Sequence, residues 1–170
     1  MSKAFTREDD QPEPEPPRRL PSVLPPGAKN YLTPDGAARL RTQLDALVER
    51  ERPALAAAGT EPEASARLQA MDDRIHELRR ILESAVIVGP PSDDLDIVRF
   101  GAIVTVRSLP DGQTARYRIV GVDETDVVRG WISWVSPVAK ALLSAAVGDR
   151  VRAELPSGVK ELEIQDVTYG

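Results

Sequence analysis

At 170 residues with a formal net charge of −5, the chain can form one domain of ordinary size, or a small domain plus an extended element. It has no cysteine, which excludes disulfides and thiolate metal sites, and its acidic balance argues against a protein that coats phosphates, since such binding rests on excess Lys and Arg. No apolar run approaches the ~20 residues that span a bilayer, and no secretory signal pattern is present, so a cytoplasmic protein with no membrane contact is expected.

Residues 1–30 read as a disordered, proline-rich tail. The first 28 residues hold seven of the fifteen prolines and five acidic against four basic side chains. Such a composition cannot bury enough apolar surface to offset the entropy of ordering.

Residues 31–86 read as an antiparallel helical hairpin. Thr33 before Pro34 is an N-cap followed by proline at the first helical position, and Asp35 suits the positive end of the helix dipole. Ala37, Leu40, Leu44, Leu47, Glu51, Ala54 and Ala58 keep a 3-4 spacing and form one stripe. Pro53 removes a hydrogen bond from this helix and predicts a kink there. Gly59 is a natural helix end, and Thr60-Glu61-Pro62-Glu63 matches a capping box that opens a second helix. Leu68, Met71, Ile75, Leu78 and Leu82 then repeat at alternating spacings of three and four, a seam that predicts a coiled coil with the first helix. His76 has no second histidine or cysteine to share a metal, so it reads as a surface residue.

Residues 87–95, with Gly89-Pro90-Pro91, form a linker to a domain over residues 96–170. Period-2 runs predict strands at Val98 to Val106, Thr114 to Gly121, Trp131 to Val135, Arg150 to Leu155 and Lys160 to Thr168, a small and mostly antiparallel sheet. Asp111-Gly112 and Pro156-Ser157-Gly158 mark hairpin turns. Ser136-Pro137 caps a short helix through about Ser144. Asp123, Glu124 and Asp126 read as a charged loop after Gly121. Trp131 and Trp134 fall on opposite faces of one strand, so at most one belongs to the core, and the other either anchors a partner or packs under the N-terminal hairpin. The fold class is α+β.

The runs Phe100-Gly101-Ala102-Ile103-Val104-Thr105-Val106, Tyr117 to Glu124, Ile132-Ser133-Trp134-Val135-Ser136-Pro137-Val138-Ala139-Lys140-Ala141-Leu142-Leu143 and Val147-Gly148-Asp149, behind a helical hairpin, resemble the C-terminal domain of the bacterial GreA/GreB transcript cleavage factors. The resemblance runs from Tyr31 to Tyr169. It implies an FKBP-like fold for the C-terminal domain, and an RNA polymerase core as partner, gripped beside the secondary channel while the hairpin passes down it. Nucleic acid is then met only within the polymerase complex. The surface implied for the grip comprises Ser133, Trp134, Val135, Ser136 and Pro137, with Val135 standing where a polar or acidic residue is expected. In that family an Asp and a Glu at the hairpin tip, in a pattern like Gly-Asp-Leu-Lys-Glu-Asn-Ala-Glu-Tyr, help hold a magnesium ion that cleaves backtracked RNA.

The tip here departs from that pattern. Only fourteen residues, Ala54 to Arg67, separate Pro53 from Leu68, and no Asp-x-x-Glu-Asn element lies among them. A deficit of roughly a dozen residues, shared between two helices rising ~1.5 Å per residue, withdraws the tip by about 9 Å. Glu61 and Glu63 are the only tip acids, weak candidates for catalysis that the capping box already occupies. The expectation is therefore a polymerase-binding elongation factor that is not itself an enzyme, holds no metal or cofactor of its own, and meets magnesium only as the polymerase's ion. A non-cleaving secondary-channel regulator that competes with cleavage factors is the alternative, and an FKBP-like prolyl isomerase or chaperone the remote one.

Overall fold

The structure, a computed structural model, describes residues 24–57, 62–109 and 111–170. The tail to residue 23, the tip residues Ala58, Gly59, Thr60 and Glu61, and Pro110 lie outside the described residues, so the tail and capping-box expectations fall mostly beyond them. The expected tail boundary moves: Asn30 belongs to a strand, and a turn closed by Ala28 N–H on the Pro25 carbonyl precedes it.

A helical arm is built from β1 (Asn30–Leu32), α1 (Pro34–Ala46), a π turn (Leu47–Glu51), α2 (Arg52–Ala57) and α3 (Pro62–Ser84), and closes on β2 (Ala85–Ile87). α1 starts where expected, with the Thr33 hydroxyl accepting from Gly36 N–H at 3.0 Å. β1 and β2, too short for any sequence signal, pair in parallel in the register Asn30↔Ala85 to Leu32↔Ile87. They clamp the two limbs at their base, above a small core of Leu32, Ala37, Leu40, Leu78 and Ile81.

The proline kink is absorbed one turn early. Pro53 cannot donate, and the preceding segment widens so that Arg52 N–H donates to the Leu47 carbonyl, five residues back. This extra residue rotates the stripe: Glu51 and Ala54 are exposed, while Val48 and Leu55 turn toward the second limb. The expected seam is thus corrected beyond Leu47, because a 3.6-residue period cannot persist through a π turn. Farther out, the limbs are tied by Arg52, which forms a two-pronged ion pair with Asp72 at 2.6 and 3.1 Å.

The second body is a five-stranded sheet in the order β5-β4-β3-β7-β6. Its strands are β3 (Ile103–Ser108), β4 (Thr114–Val120), β5 (Trp131–Ser133), β6 (Arg150–Leu155) and β7 (Gly158–Thr168), and α4 (Pro137–Leu142) covers one face. Both hairpin turns fall where expected, and Gly112 and Gly158 take the left-handed backbone that glycine permits. Val98, Val104, Val106, Ile119, Leu142, Leu162 and Ile164 form the core between sheet and helix.

Several details differ from the sequence reading, among them the strand expected from Trp131 to Val135, which ends at Ser133 because the chain turns there toward α4. The first strand begins at Ile103, because the chain turns at Arg99 to Ala102 with Gly101 at positive φ. β4 and β5 run parallel, since a 3-10 turn (Val122–Glu124) and a tight loop carry the chain back before β5 starts. α4 stops at Leu142, and Ser144 adopts φ +70°.

Candidate partner-binding site

The corner between β5 and α4 is set by local hydrogen bonds. Ser133 is buried; its hydroxyl accepts from Val135 N–H at 3.3 Å and its carbonyl from Ser136 N–H at 2.9 Å. The Ser136 hydroxyl then accepts from Ala139 N–H at 3.2 Å, capping α4 with Pro137 at its first position. Of the five residues expected to face a partner, Pro137 is exposed, Trp134, Val135 and Ser136 are half-buried, and Ser133 shapes the turn from inside. Trp134 packs on the sheet core and meets Tyr31 of the arm edge-on at 5.3 Å, and the same Tyr31 ring lies 5.7 Å from Phe100. The core tryptophan is therefore Trp134, and the outward one is Trp131.

Beside this corner the arm is latched to the sheet body by one carboxylate. Glu124 is 7% exposed. One of its oxygens accepts from Thr33 N–H at 2.9 Å and Gly121 N–H at 3.0 Å; the other accepts the Thr33 hydroxyl and lies 3.5 Å from the Arg39 guanidinium. Thr33 in turn caps α1 through Gly36 N–H, so a single chain of bonds runs from the sheet body into the first turn of the arm. Both glycines are required by closeness: a Cβ on Gly36 would collide with the Glu124 carboxylate, and one on Gly121 with the Tyr31 carbonyl.

The three acids of the charged loop therefore differ in their surroundings. Glu124 latches. Asp126 accepts from Val128 and Arg129 N–H at 3.1 and 3.2 Å and shapes the following loop. Asp123 faces the arm; partial burial, and next the Glu77 carboxylate, push its pKa up, against the Asn30 amide and Arg74. Sequence reasoning missed Glu124, and the available signal was its position three residues after a glycine, where a carboxylate can close back on the backbone.

At the described part of the arm's far end, Glu63 extends 88% exposed into solvent with Arg67 as its neighbour at 3.9 Å. His76 is exposed on α3, away from the latch. No helix among the described residues is long and apolar enough to cross a membrane.

Residues 92–169 match the family described as transcription elongation factor GreA/GreB, C-terminal. The chain is 40% identical to transcription elongation factor GreB of Xanthomonas axonopodis pv. citri over 160 residues, covering 85% of this chain and 95% of that protein. It is 38% identical to GreB of Neisseria meningitidis serogroup B, with 83% and 94% covered, and 34% identical to GreA of Rhodospirillum rubrum, with 82% and 97% covered. Among solved structures, GreA factor homolog 1 of Thermus thermophilus aligns with 82% of this chain and 99% of its own at 26% identity and a TM-score of 0.38.

Two outcomes test the latch. Glu124→Ala strands two buried N–H groups and is expected to cost about 2–4 kcal/mol by chemical denaturation, with Glu124→Gln costing less because one oxygen remains to accept. Asp123→Asn is expected to raise the melting temperature at pH 7. A raised folded-state pKa means that the folded protein holds the proton more tightly, so the carboxylate destabilises above its unfolded pKa of about 4; the gain should vanish near pH 3.

Proposed function

The chain belongs to the GreA/GreB family of transcription elongation factors, and on that premise we propose that it binds RNA polymerase through the β5–α4 corner and extends its helical arm into the secondary channel as a coiled coil. The observation that carries the reading is the Glu124 latch, which fixes the root of the arm to the body that presents Pro137. A factor that docks with one part and reaches with another needs those parts in fixed relation, because a misdirected arm forfeits the pre-organised geometry. The FKBP-like identity of the sheet body belongs to the same reading.

The reading extends to what the arm does there. It occupies the channel and leaves transcript cleavage at the polymerase's own rate. Support comes from Glu63, which faces Arg67 and solvent, and from the sequence between Pro53 and Leu68, fourteen residues that hold no Asp-x-x-Glu-Asn element. The protein is then a non-cleaving modulator whose only magnesium is the polymerase's, and its working place is the cytoplasm.

Titration of labelled protein with core RNA polymerase tests the docking half. Wild type should bind, and Pro137→Arg should weaken binding by at least about tenfold with an unchanged melting temperature, since the residue stands exposed at a helix start. Unchanged affinity would move the interface elsewhere. Single-turnover cleavage on a backtracked complex tests the other half. The intrinsic rate should persist with added wild type, and an authentic GreB should be slowed by excess of this protein. Strong magnesium-dependent stimulation, lost in Glu61→Gln with Glu63→Gln, would contradict it.

A further inference from the structure

Trp131 stands on the outer face of the sheet, enclosed by three guanidinium groups from three different elements. Arg39 of α1 lies 4.6 Å from the ring centroid, Arg129 of the preceding loop 5.2 Å and Arg118 of β4 5.3 Å. Arg116, two residues before Arg118 on the same strand face, lines the same shallow cleft of about 230 Å³ with Ile103. Arg39, Arg118 and Arg129 each have an acidic neighbour, at Glu124, Asp35 and Asp126, whereas Arg116 has no ion-pair partner among the described residues. The Nε–H of Arg118 is buried and donates to nothing among them. A chain of net charge −5 thus gathers four arginines in one place.

The loop beside this cluster is closed by backbone hydrogen bonds and displays apolar side chains. Asp126 and Trp131 exchange backbone hydrogen bonds at 3.0 and 2.8 Å, Asp126 caps the turn, and Gly130 closes it at φ +71°. At its tip Val127 and Val128 are 89% and 98% exposed. Two adjacent valines held fully in water next to a cationic cleft are the pattern of a protein contact, in which apolar area is buried and charge is matched.

We infer that Arg116, Arg129, Trp131 and the Val127-Val128 tip form a second docking surface, which takes an acidic, partly apolar segment of RNA polymerase. This rests on polymerase being the partner. The partner is a protein segment rather than a nucleic acid strand because a phosphate backbone would bury neither exposed valine, and because a chain of net charge −5 lacks the excess of Lys and Arg that nucleic-acid binding rests on. The arriving carboxylates meet Arg116 and Arg129, and the indole orients the guanidinium groups from beneath. Arg39 also touches Glu124, so the surface is continuous with the latch.

The test is affinity of the labelled full chain for core RNA polymerase free of nucleic acid, at low and at moderate ionic strength. Arg116→Glu with Arg129→Glu should weaken binding by at least about tenfold at low salt, with the loss shrinking as salt rises. Arg116→Gln with Arg129→Gln should fall between wild type and the reversal. Val127→Ser with Val128→Ser should weaken binding severalfold at both salt levels. All these side chains are exposed, and melting temperatures check that the variants fold. Reversal variants that bind within about twofold of wild type would overturn the inference while leaving the Pro137 corner as the sole interface. A loss seen only when template and transcript are bound would overturn it in favour of phosphate contacts. Failure of wild type itself to bind core polymerase would overturn both this inference and the reading beneath it.

Discussion

One buried carboxylate organises the molecule. Glu124 brings together Thr33 at the start of α1, the turn after β4 and the guanidinium of Arg39, and its two oxygens are shared among two backbone N–H groups, one hydroxyl and that cation. A carboxylate withdrawn from water is tolerated only when so fully bonded, so every one of these groups is held in place by the need to satisfy it. Gly36 and Gly121 are glycines because the chains must pass close enough for this to happen.

From that point the two bodies have distinct tasks. The sheet body presents the Ser136-Pro137 corner on one side of β5 and Trp131 with its arginines on the other, while Trp134 is spent on packing against Tyr31. The arm is rigid near its root, where β1 and β2 clamp it and Leu78 is fully buried, and thinner beyond the π turn, where no residue of α2 is buried. Stability therefore declines along the arm away from the latch, with the Arg52–Asp72 ion pair the main polar tie at mid-length, worth little at an exposed site.

Much of this was legible because it is local. The caps at Thr33 and Ser136, both hairpin turns and the apolar faces of the strands depend on residues a few positions apart, and they lie where the pattern places them. The rest depends on distance along the chain. Glu124 meets Thr33 across 91 residues, so its neighbours in sequence made it one acid among three. The parallel β1–β2 pair is three residues long and joins the two ends of the arm, below what periodicity can register. The π turn was foreshadowed by Pro53, yet its effect, the shift of the stripe from Ala54 to Leu55, follows from a backbone choice that several residues share. The expected Ser133 to Pro137 surface came from resemblance, and its geometry separates an exposed proline from a serine that works within the turn.

The central claim is that the latch makes arm and sheet body one rigid unit. The chain has no cysteine, so spin labels can be placed cleanly at Arg79→Cys on the exposed side of α3 and Lys140→Cys on exposed α4. Pulsed dipolar spectroscopy should give one narrow distance distribution in this otherwise unaltered background, and a broad one when Glu124→Ala is added. A broad or two-peaked distribution with Glu124 intact, or a narrow one that survives its removal, would contradict the account.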